Sequence, residues 1–374
     1  MPRRLNKRLL FLGILLAALA VTEILREHRP SFLRPGLRLY AYVANSGDGT
    51  VSVVDLVGLS ARATIPVGGD PSGLVELAAK RQIWGTSRQG GYVWILDAPS
   101  GAIAARIPVG ADPLGVAFSP DGRIAYVTVS GANSLVAIDT ASRQIVGKAH
   151  VGRHPGPAFI TRDGHTLLVP SRDDSTLELL DAKTLASLAT IGVVQHPNQI
   201  EVLPDSSRAF VSSADDNRIS AVDLRRRVLV ANLQMGGRPD RMILKPDGGE
   251  LYVTVPDTHG MEIIDTETNE IAESKLVGVD PTEGTLTPDA GELFLSDSAA
   301  GRVLPIDINT RQRKADPIPV GRGPCASRLD PSGELLVVAN RDSNDLAVVA
   351  VRTSSLLTLV PVGSRPNDVA VLLF

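Results

Sequence analysis

The sequence predicts an all-β fold, an eight-bladed β-propeller whose blades are four-stranded antiparallel sheets. Two markers recur at intervals of 42 or 43 residues: a Pro four positions after an apolar residue that Gly usually follows, and an Asp that ends an apolar run. A period of about 40–45 residues is typical of propeller blades. The prolines are Pro71, Pro113, Pro155, Pro197, Pro239, Pro281, Pro324 and Pro366, and the aspartates are Asp55, Asp97, Asp139, Asp181, Asp223, Asp265 and Asp307.

One repeat, residues 109–152, shows how the four strands follow from the local sequence. Its apolar and β-branched runs are bounded by turn residues, and Pro120, Asp121 and Gly122 suit a tight turn after the first run. Such a sheet cannot bury both faces alone, so neighbouring sheets must stack around an axis. The predicted strands are Leu114–Ser119, Ile124–Val129, Leu135–Ile138 and Ile145–Val151.

The blade count follows from the two ends of the repeat series. Eight innermost strands begin after the eight prolines, while the first group of outer strands, residues 39–67, has no innermost strand before it. We therefore expect residues 38–374 to form one propeller domain. The predicted closure pairs Asp368–Leu373 with the strand around Ala41–Ala44, which removes an open sheet edge.

Several segments resemble the YVTN β-propeller repeat family. They are LYAYVANSGDGTVSVVD, IAYVTVSGANSLVAID and LYVTVPDTHGMEIID, accompanied by IPVG-like segments and PDG turns. The resemblance covers essentially all of residues 38–374, although most familiar members have seven blades. It implies an exported or surface-associated bacterial or archaeal propeller, generally a binding or scaffold protein.

The N-terminal 25 residues are expected to be a signal peptide or a signal anchor. Arg3, Arg4, Lys7 and Arg8 precede an apolar run of 13 residues, Leu9–Val21. This length suits a signal-peptide core better than a membrane span of roughly 20 residues. Cleavage is expected after Ala20, and the alternative is an uncleaved tether through residues 9–25. Residues 26–37 are expected to be a linker, and the propeller to be periplasmic or extracellular, with or without that tether.

The acidic charge balance disfavours nucleic-acid binding, and the single cysteine excludes three kinds of cysteine site. Without residues 1–36 the chain carries 31 Lys and Arg against 39 Asp and Glu, so it is acidic. A protein that binds nucleic acid is expected to be basic. Cys325 alone allows no internal disulfide, no CxxCH haem attachment and no cysteine-based zinc cluster. Its position next to a repeat proline favours a small structural residue. We expect a monomer that binds an unknown protein or small-molecule ligand.

The repeated aspartates are interpreted as turn caps rather than as a catalytic or metal array. Equivalent positions in seven blades lie on a circle about the axis, so they cannot converge on one site. An Asp side chain can instead accept the backbone N–H two residues on. The eighth repeat has Ala350 at this position, so its turn is expected to be looser.

The candidate binding site is the mouth of the central channel. The residue before each repeat proline is expected to lie at this mouth, and it is polar in seven of the eight blades. Charged or amide side chains also follow along the innermost strands: Glu76, Gln199, Glu201, Arg241, Glu283, Arg328 and Asp368. The alternatives are a solvated rim and a site for an anionic or mixed-charge ligand. The predicted site residues are Asp70, Asp112, His154, His196, Arg238, Asp280 and Arg365.

The favoured function is a non-enzymatic binding or scaffold propeller. No G-x-S-x-G, H-E-x-x-H or P-loop motif occurs, so hydrolase and nucleotide chemistry lack the residues to perform them. The alternative is a redox propeller associated with haem d1 or a quinone. In that alternative His154 and His196, in adjacent blades, are candidate ligands of a metal or a haem iron. With only Trp84 and Trp94, the chain lacks the repeated tryptophan motif of quinone-dependent dehydrogenases.

Overall fold

The computed structural model describes residues 38–213 and 215–374. Over these residues the chain forms 33 β-strands and three short 3-10 turns, Ala78–Lys80, Ser130–Ala132 and Pro256–Thr258. The all-β prediction is therefore confirmed. The predictions for residues 1–25 and 26–37 concern segments outside the described residues. Among those described, no helix has the length and apolar character needed to span a membrane.

Blades 1 to 4 follow one another along the chain, and in blades 2 to 4 the chain runs from the innermost to the outermost strand. Blade 1 begins with its second strand. The strands are Leu39–Asn45 (β1), Thr50–Asp55 (β2), Ser60–Pro66 (β3), Pro71–Leu77 (β4), Gln82–Ser87 (β5), Tyr92–Asp97 (β6), Ala102–Pro108 (β7), Pro113–Phe118 (β8), Ile124–Val129 (β9), Ser134–Asp139 (β10), Ile145–His150 (β11), Phe159–Ile160 (β12), Thr166–Ser171 (β13), Thr176–Asp181 (β14) and Ser187–Gly192 (β15).

Blades 5 to 8 continue the series, and a final strand returns to blade 1. These strands are Pro197–Val202 (β16), Arg208–Ser213 (β17), Arg218–Asp223 (β18), Val228–Gln234 (β19), Met242–Leu244 (β20), Glu250–Val255 (β21), Gly260–Asp265 (β22), Glu270–Leu276 (β23), Pro281–Leu286 (β24), Glu292–Asp297 (β25), Arg302–Asp307 (β26), Gln312–Arg313 (β27), Ile318–Pro319 (β28), Pro324–Leu329 (β29), Leu335–Asn340 (β30), Asp345–Ala350 (β31), Ser355–Pro361 (β32) and Pro366–Leu373 (β33).

The ring closes in blade 1, where β33 is the innermost strand of the order β33-β1-β2-β3. It pairs antiparallel with β1, and the register places Ala41 opposite Val371 and Ala44 opposite Asp368. Backbone hydrogen bonds between Arg38 and Phe374, of 2.9 and 3.2 Å, continue this ladder. The predicted closure, and with it the count of eight blades, is confirmed.

Each blade packs both faces against its neighbours. Successive side chains of a strand point to opposite faces of the sheet, so β1 contributes Leu39, Ala41 and Val43 to the interface with blade 8 and Tyr40, Tyr42 and Ala44 to that with blade 2. Eight such apolar clusters occupy the eight interfaces between blades. The core is therefore a set of eight layers arranged around the axis.

Three blades depart from the regular pattern, and in blades 4 and 7 the departure lies at additional prolines. In blade 4 the innermost strand is reduced to β12 because Pro155 and Pro157, which have no N–H, precede it. In blade 6, β20 starts only after Pro239. In blade 7 the outermost strand is split into β27 and β28 on either side of Pro317, where the extra residue of the 43-residue repeat lies.

The repeated aspartates cap turns, as predicted. Asp55 accepts hydrogen bonds from the backbone N–H groups of Val57 and Gly58, both at 2.9 Å. The other six accept such bonds from residues two or three positions on. These bonds stabilise the turn between the third and fourth strands of seven blades.

Removing residues 364–374 tests the contribution of closure. The deletion takes away β33, whose Val369, Ala370, Val371 and Leu372 are at most 7% exposed. Each fully buried aliphatic side chain contributes roughly 1.5–3 kcal/mol, so we expect the free energy of unfolding to fall by at least about 4 kcal/mol. Urea denaturation measures this change. The control is Leu373→Ala, since Leu373 is 41% exposed. An unchanged midpoint for the truncated chain would contradict closure by β33.

Candidate functional site

The predicted rim residues lie in the turns that lead into the innermost strands. Five of them adopt positive φ angles between 46° and 54°: Asp70, Asp112, His154, His196 and Arg365. Such left-handed backbone is uncommon for residues other than Gly. Gly323 takes the equivalent position in blade 8 with φ 65°. The turn geometry is therefore shared by most blades, while the side chain at this position varies.

Most of the rim side chains form ion pairs with charged residues at the end of the second strand. Arg88 lies 2.7 Å from Asp112 and 3.7 Å from Asp70, so it links two blades. Arg238 contacts Asp257 at 3.0 Å. Sequence reasoning missed these partners, which stand 18 or 19 residues after a rim residue. Exposed pairs of this kind contribute about 0–1 kcal/mol each, so they order the rim more than they stabilise the fold.

The two rim histidines are held in the same way. The Nδ1 atom of His154 contacts Asp173, and that of His196 lies 3.1 Å from Asp215, which Arg172 also contacts at 3.1 Å. Both imidazoles are exposed, with 63% and 47% of their side-chain surface accessible. A carboxylate on Nδ1 leaves Nε2 directed elsewhere, as in many metal-ligating histidines. Within residues 38–213 and 215–374, however, no three His, Cys, Asp or Glu residues are grouped closely enough to hold a metal ion.

Asp280 and Arg365 take part in the rim chiefly through their backbones. The N–H of Asp280 donates to Asp297 at 2.8 Å, and that of Arg365 donates to Asn344 at 2.8 Å. The carboxylate of Asp280 also faces Asp240, the residue after the repeat proline of blade 6. Asp280 thus connects the rim to the charged interior of the channel.

One side of the channel is closed by bare backbone. Gly73 and Gly115 occupy the second position after the repeat prolines of blades 2 and 3, with φ 60° and 59°, and Pro157 takes this position in blade 4. A Cβ on Gly73 would lie 2.6 Å from the Cα of Gly115, and a Cβ on Gly115 would lie 3.2 Å from the Cβ of Pro157. The innermost strands of these blades therefore approach one another directly.

The opposite side of the channel carries polar side chains, most of them charged. At the same position blades 5, 6, 7 and 1 have Gln199, Arg241, Glu283 and Asp368. Arg241 in blade 6 interacts electrostatically with Asp368 in blade 1, although two other blades separate them along the ring. These side chains therefore face a shared central space. We define the channel cluster as Glu76, Glu201, Arg241, Glu283, Arg328 and Asp368.

Glu283 is the most buried member of the channel cluster. Its side chain is only 6% exposed, and it contacts Arg241 in blade 6 while lying 4.0 Å from Arg328 in blade 8. Burial raises the pKa of Glu283, and the two guanidinium groups oppose this rise. Removing one arginine would leave the carboxylate with less compensation for its lost hydration.

Glu201 has no ion-pair or hydrogen-bond partner for its carboxyl group among the described residues. It lies on β16, enclosed by protein but accessible from the channel. Burial raises its pKa to about 7, against the opposing charges of Arg241 and Arg162. A carboxyl group with this pKa exchanges its proton near neutral pH, so it can either accept a proton or bind a cation.

A cavity of about 270 Å³ opens beside the channel cluster, between blades 5 and 8. The hydroxyl oxygen of Thr282 in its lining is buried without a hydrogen-bond partner. The thiol of Cys325 donates to Ala339 and Pro366 backbone oxygens at 3.4 and 3.3 Å, and burial raises its pKa to about 11. Cys325 is thus a structural thiol rather than a nucleophile. The lining residues are Gln199, Asp240, Arg241, Thr282, Glu283, Ser298, Pro324, Cys325 and Arg341.

The fold and the site together define an eight-bladed propeller with a charged, off-centre channel cavity. The model of the YNCE-like β-propeller family matches residues 102–290, which is half of the chain. The chain therefore belongs to the YNCE-like β-propeller family. No curated protein matches its sequence.

Solved structures similar to this chain share its fold at low sequence identity. Dihydro-heme d1 dehydrogenase NirN, solved in complex with DHE, aligns with a TM-score of 0.74 and 20% identity over 91% of this chain and 76% of its own. A functionally unknown protein from Desulfotomaculum acetoxidans DSM 771 aligns with a TM-score of 0.62 and 13% identity, over 89% of this chain and 98% of its own. Hydrazine synthase of Kuenenia stuttgartiensis aligns with a TM-score of 0.55 and 18% identity, over 68% of this chain and 88% of its own. At these identities the similarity shows the fold alone.

Replacing Gly73 by Ala tests the close approach of the innermost strands. A methyl group here meets backbone at 2.6 Å and also requires an unfavourable φ, so we expect the free energy of unfolding to fall by about 3 kcal/mol or more. Gly101→Ala is the matched control, because Gly101 has φ 67° and nothing within 4 Å of its added Cβ. Equal losses in urea denaturation for the two variants would show that the strands do not constrain the channel.

The raised pKa of Glu201 predicts a specific dependence of stability on pH. Between the ordinary carboxyl pKa and about 7, the folded protein retains the Glu201 proton that the unfolded chain has already lost. Stability therefore falls as pH rises through this window. We expect Glu201→Gln to be more stable than the wild type at pH 8 by about 3 kcal/mol, and the difference to vanish near pH 4. Denaturation at both pH values measures it, and a difference independent of pH would contradict the assignment.

Proposed function

We propose that this protein is an exported, non-enzymatic binding propeller that holds a small polar ligand with a cationic group in its channel. The observation that supports this most directly is Glu201, an enclosed carboxyl group without a partner among the described residues. The rim residues Asp70, Asp112, His154, His196, Arg238, Asp280 and Arg365 would form the entrance to this site.

The energetics of the channel favour a functional reason for its charges. Charged groups lose their hydration on burial, and well-packed apolar residues of similar volume often stabilise a protein as well or better. Blades 2 to 4 show that innermost strands of this chain can pack with Gly and Pro at the position where blades 6 and 7 carry Arg241 and Glu283. The charges are therefore not required by the blade architecture. Binding sites commonly retain groups that cost stability.

The sign of the charge favours a cation. The channel cluster contains four carboxyl groups and two guanidinium groups, a formal charge of −2 when all are ionised. Arg241 is already engaged with Glu283 and surrounded by the charges of Asp240 and Asp368. An ammonium or guanidinium group on the ligand would supply the missing partner for Glu201. The neighbouring cavity of about 270 Å³, whose lining includes Gln199, Arg241 and Glu283 but not Glu201, has room for the remainder of a small organic ligand.

Export is supported by the sequence before the propeller. Four basic residues precede the apolar run Leu9–Val21, and an A-x-A pattern ends at Ala20. We propose that the propeller operates in the periplasm or outside the cell, released by cleavage or tethered by residues 9–25. The YVTN-like segments agree with this location, since the resemblance implies an exported propeller.

A titration with the diamine putrescine tests the proposed site. We expect the wild type to bind putrescine but not its uncharged analogue 1,4-butanediol. Glu201→Gln should reduce the affinity for putrescine roughly tenfold, because the variant loses one charge-assisted hydrogen bond. The affinity should rise from pH 6 to pH 8 as Glu201 loses its proton. Asp121→Asn is the control and should leave the affinity unchanged, because Asp121 is an exposed carboxylate in the turn between β8 and β9, at the end of the blade away from the rim. Isothermal titration calorimetry measures both ligands with all three proteins. Equal affinities of wild type and Glu201→Gln would overturn the assignment.

A second candidate function is association with a haem d1-type cofactor, which the NirN-like fold favours. His154 and His196 would supply Nε2 atoms to the iron, each oriented by a carboxylate on Nδ1. The acidic channel cluster fits this group less well, because haem itself carries carboxylate side chains. A visible absorption band in protein purified from its own host, lost in a His154→Ala and His196→Ala double variant, would favour this function over cation binding.

A further inference from the structure

A second pocket lies between blades 1 and 2, on the face opposite the rim. Its volume is about 450 Å³. Arg38 and Phe374 lie at this face, since β33 runs from Pro366 at the rim to Leu373 opposite Leu39. The pocket is thus separate from the channel mouth. Its polar and aromatic lining residues are Arg38, Tyr40, Tyr42, Arg62 and Ser100.

Tyr42 has an unsatisfied hydroxyl group in this pocket. The residue is only 1% exposed, and its Oη atom has no hydrogen-bond partner. A buried hydroxyl without a partner destabilises the fold. Burial raises the pKa of Tyr42, with the charges of Tyr40 and Asp97 adding to the rise. The phenol therefore stays neutral, and its O–H is a donor that no described residue uses. The Oη atom lies just below the accessible surface, so a ligand's acceptor reaches it only when the pocket lining moves aside.

The repeat supplies an internal comparison for Tyr42. Two other tyrosines occupy the same repeat position, and both have partners: Tyr126 donates to the backbone oxygen of Ala182 at 2.8 Å, and Tyr252 donates to Glu250 at 2.6 Å. Nine of the ten residues that line this pocket have repeat equivalents in the lining of the pocket between blades 3 and 4, Arg38 being the exception, and that second lining carries Lys148 and Lys183. There Val146 replaces Arg62, and Tyr126 is satisfied within the protein. The unsatisfied hydroxyl and the arginine thus occur together.

The arginines give the pocket a positive charge. The Arg62 guanidinium lies 5.3 Å from the centre of the Tyr40 ring, which packs edge-on against Phe374 at 5.5 Å. Neither Arg62 nor Arg38 forms an ion pair with a carboxylate among the described residues. The nearby Asp97 carboxylate is instead bound by the backbone N–H and hydroxyl of Ser100. The pocket therefore combines two arginines without an ion-pair partner among the described residues, one phenol without a hydrogen-bond partner and aromatic surface, with the Asp97 carboxylate nearby.

We propose that the pocket between blades 1 and 2 binds a small aromatic or otherwise apolar carboxylate. The carboxylate accepts the hydrogen bond of Tyr42 and lies against the Arg62 and Arg38 guanidinium groups, which match its planar geometry. The apolar body of the ligand packs on Tyr40, Val53, Ala63 and Ala98. This site is independent of the channel and of the function proposed for it.

Benzoate serves as the probe, and benzamide as its uncharged analogue. In calorimetric titrations we expect benzoate but not benzamide to bind the wild type, with the affinity reduced at least tenfold in Arg62→Gln and roughly tenfold in Tyr42→Phe. Tyr126→Phe, in the corresponding pocket, and Glu201→Gln, in the channel, should leave benzoate affinity unchanged. The Glu201 variant separates failure of this site from failure of the channel site.

The stability of the two tyrosine variants provides a readout that needs no ligand. Tyr42→Phe removes a hydroxyl without a partner, so the urea midpoint should stay unchanged or rise, whereas Tyr126→Phe breaks a hydrogen bond and should lower it. Three results would overturn the proposal: no binding of benzoate to the wild type, equal benzoate affinity in Arg62→Gln, or equal loss of stability in the two phenylalanine variants.

Discussion

The structure depends on the pairing of β33 with β1. Every blade buries apolar side chains on both faces, so each needs a neighbour on either side, and an open ring would leave two faces exposed to water. The strand pair that prevents this contributes to three layers at once, because β33 completes blade 1 and also contacts the innermost strands of blades 8 and 2. The stability of all eight interfaces is therefore coupled to one antiparallel ladder.

Closure also determines what the innermost strands can present to the channel. Around the axis these strands either approach as bare backbone, as at Gly73 and Gly115, or stand apart and fill the space with side chains, as at Arg241 and Glu283. The cavity is consequently displaced to one side of the axis. A propeller of equal repeats would have a symmetric channel, whereas this chain uses sequence variation at one repeat position to make an asymmetric one.

Much of the fold was predictable because it repeats. The prolines, the Asp-capped turns and the alternation of apolar residues are local signals, and eight copies reinforce one another. The shortened strand in blade 4 and the split strand in blade 7 escaped prediction, since they depend on how single prolines disturb a ladder. The predicted rim residues occupy equivalent turns, but their ion-pair partners, such as Asp173 and Asp257, come from another strand and appear only in three dimensions.

The more informative residues are those that break the repeat. Glu201 is one of seven charged or amide residues predicted along the innermost strands, and the alignment of the repeats gives no reason to rank it above the other six. Tyr42 and Tyr126 are the same residue type at the same repeat position, and only their surroundings show that one hydroxyl is satisfied and the other is not.

Joining β33 to β1 has a consequence for how the chain folds. Ser46 and Arg365 are hydrogen-bonded across 319 residues of sequence, whereas most other contacts in the blades are between neighbouring strands of one hairpin. Local hairpins form early and distant contacts form late, because loop closure costs entropy before any contact compensates for it. Blade 1 therefore lacks its innermost strand until β33 has been synthesised. Throughout that interval the edge of β1 is available to other strands, so the time between the first and last blades is the period in which this protein is most exposed to misassembly.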